Sequence, residues 1–264
     1  MRRTVVVVLV ALVTLLAAAW PALGQPSRAR AEKEALVDFN GDGFDDLAVG
    51  AFGEDIGSLD GAGAVNVLYG SAGGLVASSD VFFQGSNGVG GTADENDTFG
   101  RTIAQGLFND DEFFDLAVGS PGESDGGASA SGAVNILYGS AGGLTGGPQL
   151  QSNPETNDRF GESLAAGDFN GDDFFDLAVG VPGENIGTTG DAGAVTILFG
   201  SAAGITTAGA QTIFQGSGGI AGSAEALDQF GTSLASGLLA GDDVATWSSG
   251  CPARTSAGSG RRGR

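Results

Sequence analysis

The sequence has no histidine and a single cysteine, Cys251, in 264 residues. Without histidine there is no Ser-His-Asp or Cys-His catalytic arrangement and no histidine-ligated zinc. One cysteine cannot make a disulfide framework. Basic residues are scarce as well, 11 Lys and Arg against 32 Asp and Glu, for a formal net charge of −21. Every acid lies between Glu32 and Asp243, and from residue 25 to 243 the only bases are Arg28, Arg30, Lys33, Arg101 and Arg159. Such a surface repels nucleic acid and anionic lipid and attracts cations. Helical periodicity is missing after the N-terminal segment. Glycine runs such as Gly216-Ser217-Gly218-Gly219 follow no strand–helix pattern, which speaks against a dinucleotide loop.

The N-terminus does carry a targeting pattern. Met1-Arg2-Arg3 precedes an uncharged apolar run from Val5 to Trp20, and Ala22-Leu23-Gly24 supplies small residues for cleavage. Residues 1–24 are expected to be a signal peptide and 25–35 a linker, which implies a secreted or cell-surface protein with no membrane insertion after cleavage. The apolar run is shorter than the roughly 20 residues a spanning helix needs.

The 49 glycines punctuate short apolar runs instead of forming a flexible tract, a pattern of strands and tight turns. The runs repeat. Leu47-Ala48-Val49-Gly50 recurs as Leu116-Ala117-Val118-Gly119 and Leu177-Ala178-Val179-Gly180, at steps of 69 and 61 residues. Ala51-Phe52-Gly53-Glu54 is followed by Ser120-Pro121-Gly122-Glu123 and Val181-Pro182-Gly183-Glu184. A second strand comes next each time, over 63–70, 132–139 and 193–200. A third is expected at 81–85 and 212–216, and another begins at each Phe-Gly, at 99, 160 and 230. Four short strands per unit is the arithmetic of a β-propeller blade.

Phe-Gly, then an aspartate loop, then Leu-Ala-Val-Gly-x-Pro resembles the FG-GAP repeat, which builds the N-terminal propeller of integrin α subunits. The resemblance covers 36–243. It implies an all-β fold, a partial (open, three to four blade) β-propeller, because integrin-type propellers close with seven blades and the first unit here lacks its Phe-Gly strand. It also implies a binding function, cell adhesion or capture of an extracellular protein or glycan ligand, with no catalytic residues. An accessory repeat region of a secreted hydrolase and a truncated nonfunctional fragment are the alternatives.

The aspartate loops point to calcium, a hard cation that takes six to eight oxygens. In loop 38–46, Asp38, Asn40 and Asp42 stand at positions one, three and five, Phe44 offers its carbonyl at seven, and Asp46 closes the shell at nine. Gly41 and Gly43 permit the left-handed backbone of such a curl. Position 12 is Val49 and the flanks are strand-like, so this is not an EF-hand. Loop 168–176 repeats the set with Asp168, Asn170, Asp172, Phe174 and Asp176, and Asp173 replaces the second glycine. Loop 107–115 keeps Asn109, Asp111, Phe113 and Asp115, but Leu107 sits at position one and Asp110 and Glu112 replace the glycines. Its binding is an open question. By the resemblance the ions lie on the face opposite the ligand-binding loops and staple the blades.

The fourth repeat starts at Phe230-Gly231 and reaches Asp242-Asp243, and then 244–264 has no acid and four arginines. A shifted reading frame from about Val244 would restore an Asp-Leu-Val-Val-Gly-Val-Pro-Gly-Glu run in register, so this tail is expected to be out of frame. Three-odd blades leave open blade faces and strand edges, which invite self-association.

Overall fold

The computed structural model describes residues 36–76 and 79–237, and the backbone of 246–250. The signal peptide, the linker and the rest of the tail lie outside the described residues. Thirteen strands run in chain order among those described. Strands β1 (Leu47–Ala51), β2 (Ala64–Leu68) and β3 (Ser79–Phe82) form blade 1. Strands β4 (Thr102–Gly106), β5 (Asp115–Ser120), β6 (Ala133–Tyr138) and β7 (Thr145–Leu150) form blade 2. Strands β8 (Ser163–Gly167), β9 (Asp176–Val181), β10 (Ala194–Leu198) and β11 (Gln211–Ile213) form blade 3. Strands β12 (Ser233–Gly237) and β13 (Thr246–Gly250) pair by themselves. Each sheet is an antiparallel meander, β4 neighbours β8, and β8 neighbours β12, so the Phe-Gly strands line the inside of an unclosed β-propeller. Blade 1 has three strands, as expected from its missing Phe-Gly strand.

The Leu-Ala-Val-Gly run is apolar throughout because both faces of a middle blade are covered. In blade 2, Leu116 and Val118 face back into the core shared with blade 1. Ala117 faces forward into the core shared with blade 3. Blade 3 repeats this, with Leu177 and Val179 facing back and Ala178 facing forward. Large side chains on one face and a small one on the other let successive sheets stack.

Phe-Gly joins the blades. Phe99, Phe160 and Phe230 are buried and make parallel bridges to Gly63, Gly132 and Gly193 of the preceding blade. A Cβ on Gly50, Gly119 or Gly180 would overlap the carbonyl of Gly100, Gly161 or Gly231 across the junction. The glycine of Phe-Gly is required separately, by its left-handed φ and by the carbonyl of Ala64, Ala133 or Ala194 against it.

Two elements were not legible. The outermost strand of blade 2, β7, reads Thr-Gly-Gly-Pro-Gln-Leu, a turn composition. It is an outer edge strand with a register shift opposite Asn135–Leu137, the setting in which a sheet tolerates proline. In the tail, the backbone of 246–250 adds β13 to β12 although its sequence departs from the repeat.

Candidate metal centre

Loops 107–115 and 168–176 join the inner strand of their blade to the next strand, and loop 38–46 leads into β1 at the equivalent place, so all three lie at one end of the propeller. Backbone bonds tie them into a belt: Phe114 and Ser140 donate to the carbonyls of Asp38 and Phe39 at 3.1 Å each. Phe175 and Ser201 donate likewise to Leu107 and Phe108. Position one of loop 107–115 thus keeps its backbone role even though its side chain is apolar.

Loop 38–46 curls as its glycines require, with φ of +73° at Gly41 and +87° at Gly43. Loop 168–176 has the same curl at Gly171 (+79°) and Asp173 (+75°). Asp38 Oδ1 accepts from the Gly41 amide at 2.6 Å and Oδ2 from Gly43 at 2.8 Å. Asp168 does the same with Gly171 at 2.7 Å and Asp173 at 3.0 Å. Asn40 and Asp42 cap the amides of Asp42 and Phe44, and Asn170 and Asp172 those of Asp172 and Phe174. Side-chain oxygens at positions one, three and five are thereby gathered on one curl.

The ninth position differs in kind. Asp46 accepts from Phe39 and Gly70, Asp115 from Phe108 and Gly139, and Asp176 from Phe169 and Gly200, one amide per carboxylate oxygen. This acid anchors the start of its loop to the glycine that ends the second strand. Each oxygen keeps one lone-pair direction for another partner. Burial raises all three pKa values, Asp115 to about 7 and Asp176 to about 6. After burial, neighbouring carboxylates add to the rise: Asp38 and Asp42 for Asp46, Asp172 and Asp168 for Asp176, and Asp111 for Asp115. These are crowded hard oxygen donors, a set suited to calcium. Among the described residues no three acidic side chains come together as a metal cluster.

Loop 107–115 fits less well. Leu107 points into the core, and neither Asp110 nor Glu112 is among the left-handed residues. Asn109 and Asp111 keep their local caps, and Phe113 lies against Gly41 of the first loop, where a Cβ would come within 2.6 Å of its ring.

A second set of acids was missed in the sequence. Asp97, Asp158 and Asp228 each stand two residues before a Phe-Gly, are buried, and accept from the amide of the acid three residues earlier. Asp97 is pushed up to about 7 by burial, then by Glu123 and Asp94. Glu184 is pushed up to about 7 by burial, then by Asp158 and Glu155. Glu123 is held by the amide nitrogens of Gln84 and Gln149. The spacing to Phe-Gly was the available signal. At this end Arg101 pairs with Glu162 at 3.1 Å and lies 5.3 Å over the Phe52 ring, linking three blades.

The family model for the FG-GAP repeat matches residues 33–68 and 160–198. Phosphatidylinositol-glycan-specific phospholipase D of Rattus norvegicus is 34% identical over 150 residues, 56% of this chain and 18% of that protein. The enzyme of the same name from Bos taurus is 34% identical over 153 residues, 55% of this chain and 18% of that protein. The one from Mus musculus is 38% identical over 110 residues, 39% of this chain and 13% of that protein. The chain thus spans less than a fifth of the length of these relatives.

Proposed function

For a chain that carries FG-GAP repeats, we propose a calcium-stabilised, extracellular binding module that recognises a protein or glycan through the loops opposite its aspartate belt. The observation that carries this reading is the recurrence of one oxygen-rich curl in blades 1 and 3, at the same end of the propeller, each anchored by a buried ninth-position aspartate. Loops 38–46 and 168–176 hold calcium through Asp38, Asn40, Asp42 and Asp46 and through Asp168, Asn170, Asp172 and Asp176, with the carbonyls of Phe44 and Phe174 as further donors. Asn109, Asp111, Phe113 and Asp115 offer a weaker site. The cation neutralises the belt and holds the blade connections, while the Phe52–Arg101–Glu162 end remains for recognition.

Calorimetric titration of the metal-stripped protein with calcium tests the site, with two equivalents of heat and a raised melting temperature as the expected result. An identical melting curve in excess chelator would overturn it. Adhesion to immobilised extracellular-matrix proteins and glycans, with and without calcium, tests the recognition role.

A second reading is favoured by the relatives. The similar segment belongs, in each of them, to a protein named as a phosphatidylinositol-glycan-specific phospholipase D. In this reading the repeats serve beside a catalytic part. The repeats themselves are non-catalytic, so the isolated chain is expected to release no product from a glycosylphosphatidylinositol-anchored substrate.

A further inference from the structure

We propose that blade 1 of one copy docks head-to-tail on the open end of blade 3 of a second copy, reproducing a junction that the chain already builds twice within itself.

At each internal junction the later blade contributes the same four side chains. Blade 2 supplies Leu116, Val118, Leu137 and Leu144, and blade 3 supplies Leu177, Val179, Leu198 and Ile205, all of them buried. Blade 1 carries the equivalent quartet, Leu47, Val49, Leu68 and Leu75. Leu47, Val49 and Leu75 are exposed and Leu68 is only partly covered. Among the described residues nothing covers this half-junction.

A glycine slot says what covers it. The earlier blade presses a ring onto a glycine of the later one: Tyr69 onto Gly143, with its hydroxyl accepting the Leu144 amide at 3.0 Å, and Tyr138 onto Gly204. The equivalent slot of blade 1 is Gly74, with φ of +97° and nothing within 4 Å of a Cβ. The equivalent ring at the other end of the chain is Phe199 of blade 3. The belt agrees. Its cross-blade bonds link the carbonyls of positions one and two of each loop to the following blade, and among the described residues Asp168 and Phe169 accept no such bond while Asp45 and Ser71 donate none.

Strand count supplies the last match. Among the described residues blade 1 has no inner strand, and β12, in the inner-strand position, pairs with β13 alone. On the pattern of β8 with β9, β12 pairs five residues, Ser233–Gly237, and the free edge of β1 offers five in the same register. β13 now occupies those five residues of β12, so docking exchanges β13 for β1 of the second copy. The contact is heterologous, which generates rings or filaments instead of a face-to-face dimer. It does not depend on the calcium reading.

Sedimentation velocity over a concentration series of the full chain, at about 0.15 M salt where the Debye length is about 8 Å, tests it. Concentration-dependent association is expected, weakened at least tenfold in the Leu47→Lys/Val49→Lys variant. Leu75→Glu, on a separate segment, provides a second variant, and circular dichroism checks that both stay folded. The double variant keeps its tail end, so mixing it with the wild type should cap growth and shorten the assemblies. A wild type that stays monomeric at all concentrations overturns the proposal. So does unchanged association of the variants, or a variant that leaves wild-type assemblies unaltered, the result expected of a symmetric Leu-to-Leu contact.

Discussion

Blades 1 and 2 carry the same Leu-Ala-Val-Gly strand, yet Leu47 and Val49 are 44% and 43% exposed while Leu116 and Val118 are 1% and 0% exposed. Identical residues in identical strands have opposite environments because the covering surface belongs to a neighbour in the array. The strand's composition suits burial on both faces. Whether it is buried depends on whether a preceding blade stands against it. A repeat protein is stabilised at its interfaces as much as within its units, and among the described residues no blade stands before blade 1.

The widest separation is expected from truncating the matched leucines. Leu116→Ala leaves a cavity in a packed junction and should cost about 2–5 kcal/mol. Leu47→Ala should cost about 0.5 kcal/mol or less, since it removes a side chain that is still half in water. Equilibrium denaturation of the two variants side by side, at a concentration where the chain is monomeric, measures the difference, and equal losses would mean that the first blade is covered within its own chain.

The Pro-Gly-Glu turn gives a second matched pair. A Cβ at Gly122 would overlap the Asn96 carbonyl, whereas one at Gly53 meets nothing within 4 Å. Gly122→Ala should cost about 1–3 kcal/mol through overpacking, and Gly53→Ala should be close to neutral. Thermal unfolding of both variants distinguishes them.

The loops can be set against each other in the same way. Asp168→Ala should remove about half of the calcium-induced rise in melting temperature, and Asn109→Ala much less, because loop 107–115 lacks both the left-handed curl and an acid at position one. Equal effects would place a full site in blade 2.

The last comparison is in pH. In the metal-free protein Asp97, Asp115 and Glu184 hold protons to about pH 7 and Asp176 to about pH 6, above ordinary carboxylate values. The folded state therefore binds more protons than the unfolded one between about pH 4 and pH 7, and stability falls as pH rises through that window. Calcium needs the ionised form, so its stabilisation should grow over the same range. The rise in melting temperature that calcium gives over chelator should therefore be larger at pH 8 than at pH 5. Parallel curves would remove the ninth-position aspartates from the calcium site.

Much of this architecture was legible. The period, the strand order, the missing first strand and the curl of the outer loops follow from residue types at fixed spacing, since turns demand glycine and stacked sheets demand apolar runs. Asp173 took the left-handed conformation of the glycine it replaces. Strand β7 was hidden because Gly146, Gly147 and Pro148 read as a turn, and only an edge position tolerates them. The buried Asp97 and Asp158 were hidden because an acid in a polar loop carries no sign of its burial.

The sequence by itself determined the unit: where strands start and stop, and which loops gather oxygen. Those depend on local backbone preference and on contacts a few residues apart. Only the tertiary structure decided that the two glycines of the repeat meet each other across a blade junction, and that the ninth-position aspartate anchors a strand 24 residues away. The tertiary structure also decided that Leu47 and Leu75 of blade 1 are left exposed by the described residues. These depend on which unit stands next to which, and a repeated sequence is silent about its neighbours because every copy carries the same instruction.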